Sequence, residues 1–155
     1  MKVEYINPFI EASLQVINQT TNFNPTIGKI FVKNNSYSSD GVVILIGLTG
    51  KISGNVVLSL SKNLALSIAS AMMYGMPVNE LDEISKSAIA ELANMILGHT
   101  ASIFYQNSIC IDITPPTVLT GENIQLTPTK SLTVCIPLNF HGGESLQIDV
   151  SYLEN

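Results

Sequence analysis

Ser87, Glu91 and Asn94 stand four and three residues apart in the segment SAIAELANMILG, and within Ala88–Gly98 the glutamate and the asparagine are the only strongly polar residues. Residues at i, i+3 and i+4 share one helix face with Cβ atoms about 5–6 Å apart. A carboxylate and a carboxamide would therefore project side by side from a rigid rod, able to touch the same group on another molecule. An ordinary amphipathic helix also has a polar stripe, but a solvated stripe carries Lys, Arg and several Glu. This one reads Ser87, Glu91, Asn94, Gly98, with small Ala90 beside it. Asparagine is a poor helix former, and small neighbours leave room for another surface to come close.

The helix that must hold these groups is predicted from near Asp82 to Gln106, with Asp82 and Glu83 at the end where the helix dipole favours acids. An earlier helix is expected over Pro8–Thr20, with Asn7 as its N-cap and Pro8 at the first helical position. Another should run from a Ser61 cap through NLALSIASAMMYG to a stop at Gly75 and Pro77. Between them, KIFVK, GVVILIGL and KISGNVVLSL have the β-branched texture of strands, and Thr49-Gly50 joins the last two as an antiparallel hairpin. Strand texture returns in ICIDIT, NIQL, SLTVCIPLNF and SLQIDVSYL. The last two form a hairpin across His141-Gly142-Gly143, and Pro137 marks an edge or a bulge. Helices and strands in blocks predict an α+β fold, one domain over residues 1–155, with helices packed on one face of a mainly antiparallel sheet.

At 155 residues the chain can bury a full core. Its net charge is -5, and only 12% of residues are charged, against about 25% on average. No Lys/Arg cluster offers a footprint for nucleic acid. No apolar run approaches the ~18 residues needed to span a bilayer, and the acidic amino terminus does not read as a secretory signal, so a cytoplasmic protein is expected. Cys110 and Cys135 lie in strand-like runs without metal-ligand spacing and are expected to be reduced core residues. His99 lies five residues past Asn94, a rotation of about 140° off the stripe, and reads as a structural histidine. His141 reads as a turn residue, with no metal set formed by either histidine. Met72, Met73 and Met76 read as core filling around the second helix, and Gly47, Gly50 and Gly54 as strand turns and bulges, since no phosphate-loop spacing occurs.

With its context, Ser87-x3-Glu91-x2-Asn94 followed by twenty-one residues and Pro116 in TPPTVLTG, the chain resembles the CheC/CheX/FliY family of chemotaxis phosphatases. That family's pattern is Asp or Ser, ExxN, then a proline some twenty-two residues later; the proline spacing here departs by one. The resemblance is closest to CheX-like members and covers nearly the whole chain, including VEYINPFIEASL, IGLTGKISGNVVLSLS, SAIAELANMILGHTAS and PPTVLTG. Glu11 is followed by Leu14 at the asparagine position, so the chain carries one motif, as CheX-like members do.

The resemblance implies a CheC/CheX-like fold and a protein substrate, the aspartyl phosphate of a CheY-like response regulator. It assigns Asn94 to orienting the attacking water and Glu91 to docking against the regulator's active-site lysine, with Ser87 supporting and Pro116 shaping the fold near the motif. An amide has almost no basicity, which suits orientation rather than proton abstraction. No cofactor is expected on this chain, Mg²⁺ belonging to the regulator, and a homodimer joined through sheet edges is expected. The rival reading is a non-catalytic module that binds a regulator or assembles into a switch complex.

Overall fold

The computed structural model describes residues 2–128 and 132–154. Three helices, α1 (Val3–Thr21), α2 (Lys62–Met72) and α3 (Glu83–Gln106), accompany eight strands. In chain order these are β1 (Thr26–Ile27), β2 (Phe31–Lys33), β3 (Tyr37–Gly50), β4 (Ile52–Leu60), β5 (Ile111–Ile113), β6 (Thr117–Leu126), β7 (Thr133–Asn139) and β8 (Ser145–Glu154). The strands form one sheet in the order β1-β7-β8-β4-β3-β5, with β2 also on β7 and β6 also on β3. Every pairing is antiparallel.

The alternation of side chains along the strands explains where the core lies. The register aligns Ile44 with Leu58, Leu58 with Ile148, and Ile148 with Ile136, so one apolar row crosses β3, β4, β8 and β7. Successive side chains on a strand point to opposite faces, which puts this row and its even-numbered neighbours on the face that the helices cover. Phe9, Ile17, Ile68, Ile89, Ile96 and Phe104 close the same cluster from the helix side. The expected α+β architecture is the observed one.

The expected Ser61 cap is present, and Asp82, expected at the amino end of the third helix for its charge, caps that helix as well. Ser61 accepts the Leu64 N–H at 3.0 Å, and Asp82 accepts the Ser85 N–H at 2.9 Å. The first helix differs from expectation. It begins at Val3 and carries Pro8 inside it, while its capping residue, Lys2, makes no side-chain cap bond. Tertiary contacts override the Asn7-Pro8 signal: Tyr5 packs edge-on against Tyr152 at 5.4 Å, its hydroxyl donates to Glu154 at 2.8 Å, and Lys2 pairs with Glu154 at 3.2 Å.

Pro137 is on neither a free edge nor a bulge. Its strand is flanked by β8 and, on the outer side, by β1 and β2, which stop short of it at Leu138 and Cys135, while Gly28 N–H donates to the Pro137 carbonyl at 2.9 Å. Among the described residues the register shift lies elsewhere, between Ser39 and Gly41 on β3. Among the described residues no helix is long and apolar enough to cross a membrane.

Candidate functional site

β3 builds one wall of the site. β5 and β6 lie end to end along its outer edge, with Leu48 opposite Ile113 and Leu45 opposite Thr117. The interruption between them is Thr114-Pro115-Pro116, as expected where prolines cannot donate to a ladder. It is pinned twice to Gly47: Thr114 N–H donates to the Gly47 carbonyl at 3.0 Å, and Gly47 N–H donates to Thr114 Oγ1 at 2.8 Å. A Cβ on Gly47 would lie 3.0 Å from Thr114 Cγ2, so glycine here suits the close approach of the Thr114 side chain rather than a turn.

α3 supplies the opposite wall. Ser87, Ala90, Glu91 and Asn94 face Ile113, Thr114, Pro115 and Pro116 across an open depression of about 490 Å³. All four residues singled out from the sequence, Ser87, Glu91, Asn94 and Pro116, therefore meet in one place. Glu91 and Ser87 are exposed and Asn94 is half-buried. Thr114 and Pro115 were not singled out, although the doubled proline was the signal that a fixed kink stood there.

Hydrogen bonding separates these side chains from their neighbours. On the same helix, Ser85 Oγ donates to Asp82 Oδ1 at 2.9 Å, Thr100 Oγ1 to the Ile96 carbonyl at 2.8 Å, and Ser102 Oγ to the Gly98 carbonyl at 3.2 Å. His99 Nε2 lies 3.0 Å from Gln15 Oε1 on α1, which ties the histidine to the helix interface, as a structural histidine. Among the described residues no hydrogen bond or ion pair engages the side chains of Ser87, Glu91 or Asn94. A carboxylate and a carboxamide on a rigid element, unspent on their own fold, can dock a cation and orient a small polar molecule on a surface brought against them.

The remaining candidates fall away from this depression. His141 is exposed in the 3-10 turn between β7 and β8. Cys135 is buried, and burial beside Asp149 pushes its thiol up to about 12. Cys110, expected in the core, is exposed and precedes β5, because the chain there runs along the outer edge of the sheet. Met72 and Met73 pack on the core, but Met76 is 64% exposed beyond the end of α2. Gly50, with φ +113 at the hairpin, is a turn residue as expected; Gly54 sits in regular β4–β8 pairing, where a Cβ would strike the Ser151 backbone.

Comparison with known proteins converges on one family. A family model described as "Chemotaxis phosphatase CheX" matches residues 42–139, from β3 through α3 into β7. A protein named CheY-P phosphatase CheX, from Thermotoga maritima, is 33% identical over 153 residues, covering 97% of each chain. Among solved structures, a CheX-CheY-BeF3-Mg²⁺ complex from Borrelia burgdorferi matches with a TM-score of 0.83 and 26% identity over 99% of this chain and 100% of that one. A CheX from Desulfovibrio desulfuricans matches in fold with a TM-score of 0.86 at 24% identity, over 99% and 100% of the two chains.

Proposed function

The chain belongs to the CheX family of chemotaxis phosphatases, and from that premise we propose that it removes the phosphoryl group from the aspartyl phosphate of a CheY-like response regulator. The observation that carries the reading is the pair of unengaged side chains, Glu91 and Asn94, held beside the Thr114–Pro116 wall. The 33%-identical relative is named for this activity, and the Borrelia CheX is found with CheY, BeF3 and Mg²⁺.

An aspartyl phosphate is an activated acyl phosphate, and phosphoryl transfer is catalysed mainly by positioning and electrostatics. Water attacks phosphorus, the bond to the aspartyl oxygen breaks, and the regulator's carboxylate leaves while the water's proton passes to solvent. Mg²⁺ belongs to the regulator. Asn94 aims the water: its amide both donates and accepts, and it has no basicity to compete for the proton. Glu91 docks α3 in register by pairing with a lysine at the regulator's phosphorylation site. A charge pair desolvated on docking mainly sets orientation and specificity. Ser87 supports the contact, and Pro116, with Thr114, shapes the wall.

The reading places the protein in the cytoplasm with its partner, as a homodimer. The outer edge at β2 favours the dimer: Phe31 and Val32 are 40% and 53% exposed, and an uncovered apolar edge can pair with its own copy. Sedimentation equilibrium should show a dimer that Val32→Lys converts to monomer; a monomeric parent chain would remove this part of the proposal.

The assay for the activity mixes the full chain with CheY phosphorylated by acetyl phosphate in Mg²⁺ and follows phosphate loss. Acceleration over the regulator's own decay supports the phosphatase. Tight binding with no acceleration would favour the non-catalytic module instead.

A further inference from the structure

Gly98 lies one turn beyond Asn94 on the same face of α3, and a Cβ built on it meets no heavy atom within 4 Å. The chain's other glycines have reasons of their own. Gly41, Gly50, Gly75, Gly121, Gly142 and Gly143 adopt positive φ, while Gly28, Gly47 and Gly54 are crowded by neighbouring atoms. Gly98 has ordinary helical backbone and open space. Glycine is among the worst residues for a helix interior, so its own fold gains nothing from it.

We infer that Gly98 is a clearance position, which lets the backbone of the phosphorylated regulator settle against α3 so that Asn94 reaches the phosphoryl group. The inference rests on the phosphatase reading above. Asparagine holds its amide on a single methylene, so the helix itself must come into van der Waals contact with the partner. A methyl group one turn along would hold the surfaces apart. The next polar side chain on this face, Ser102, folds back onto the Gly98 carbonyl at 3.2 Å, which keeps the surface low over that turn. On the other side of the motif the stripe continues to Ile84, 67% exposed, and apolar exposure there suits a docked protein surface rather than a small free ligand. Gly98 is thus a positioning residue, acting through Asn94.

The test is Gly98→Ala, with Gly98→Leu as the stronger variant, in the full chain. Thermal unfolding is read beside turnover of Thermotoga maritima phospho-CheY and affinity for the same CheY loaded with BeF3 and Mg²⁺. Gly98→Ala should raise Tm by about 2–4 °C, yet lower kcat/KM and affinity at least about 10-fold, with Gly98→Leu losing turnover altogether. A merely structural glycine moves stability and leaves affinity alone. Gly98→Ala with parental affinity and turnover, or with a lowered Tm, overturns the clearance role. A parent chain that binds loaded CheY without hydrolysing phospho-CheY rejects the phosphatase reading instead, and the affinity measurement still decides the role of Gly98.

Discussion

Asp149 and Glu91 are carboxylates in opposite circumstances. Asp149 points from β8 to the sheet face away from the core row and is 1% exposed. Lys33 Nζ approaches its oxygens at 3.2 and 3.1 Å, also donates to Gln147 Oε1 at 3.3 Å, and sits 3.9 Å from the centroid of the Tyr37 ring. Burial, and then the neighbouring Asp149 carboxylate, pushes the Tyr37 hydroxyl upward, so it stays protonated. Glu91, on α3, is exposed and has no partner among the described residues. The first carboxylate is committed to the fold, tying β2, β3 and β8 together behind the sheet. The second is free for another molecule. Substitutions at the two places should therefore separate stability from activity.

The largest effect is expected where commitment is complete. Asp149→Ala strands the Lys33 ammonium, whose side chain is only 15% exposed, and breaking a buried pair from one side costs about 3–5 kcal/mol. Urea unfolding should record that loss. Replacing both partners together, with Lys33→Met and Asp149→Leu, should recover most of it, because the isolated charge is the costly state. A single variant as stable as the parent would mean that water reaches the pair and that the contrast with Glu91 is one of degree.

At the free end of the comparison the signature reverses. Asn94→Ala should reduce turnover on phospho-CheY by roughly 10²–10³-fold, the scale of removing one positioned hydrogen-bonding group from a reacting centre, with urea unfolding within about 0.5 kcal/mol of the parent. Affinity for the BeF3-loaded regulator should hold. Glu91→Ala should instead weaken that affinity and make the residual binding less sensitive to salt, since a charge pair is lost. Unchanged turnover for Asn94→Ala would refute the water-orienting role, and equal losses of affinity in both variants would merge two roles that are kept apart above.

This division was legible in the sequence on one side only. Glu91, Asn94 and the limits of α3 lie within one continuous segment, where local rules for helix-end charge and i, i+4 spacing operate, and the hairpin at Thr49-Gly50 is equally local. Lys33 and Asp149 are 116 residues apart. Nothing short-range pairs them; only the order of strands does, and with it the way β3 carries Tyr37 over Lys33. For the same reason NIQL read as a short strand, whereas β6 extends over Thr117–Leu126, because the partner β3 continues beneath it. The early start of α1 was hidden because aromatic contacts with Tyr152 and Phe104 outweigh a local proline signal. The role of Thr114 was hidden because its anchor, Gly47, lies on another strand.

The smallest effect is expected at Asp82, a committed carboxylate on the helix that also carries Glu91. The backbone N–H and then the hydroxyl of Ser85 hold its carboxyl below the ordinary carboxylate range. A carboxyl with a lower pKa folded than unfolded stabilises the folded state above the unfolded value. That contribution fades as pH falls from there through the folded value. Tm of the parent should therefore decline on acidification below about pH 4, partly through Asp82. Asparagine caps a helix as well as aspartate does but does not titrate, so Asp82→Asn should keep Tm near the parental value at pH 7 and make the acid decline shallower. If the acid decline of Asp82→Asn is instead as steep as that of the parent, the Ser85 contacts do not hold the Asp82 carboxylate, and its standing as a committed carboxylate on α3 is lost.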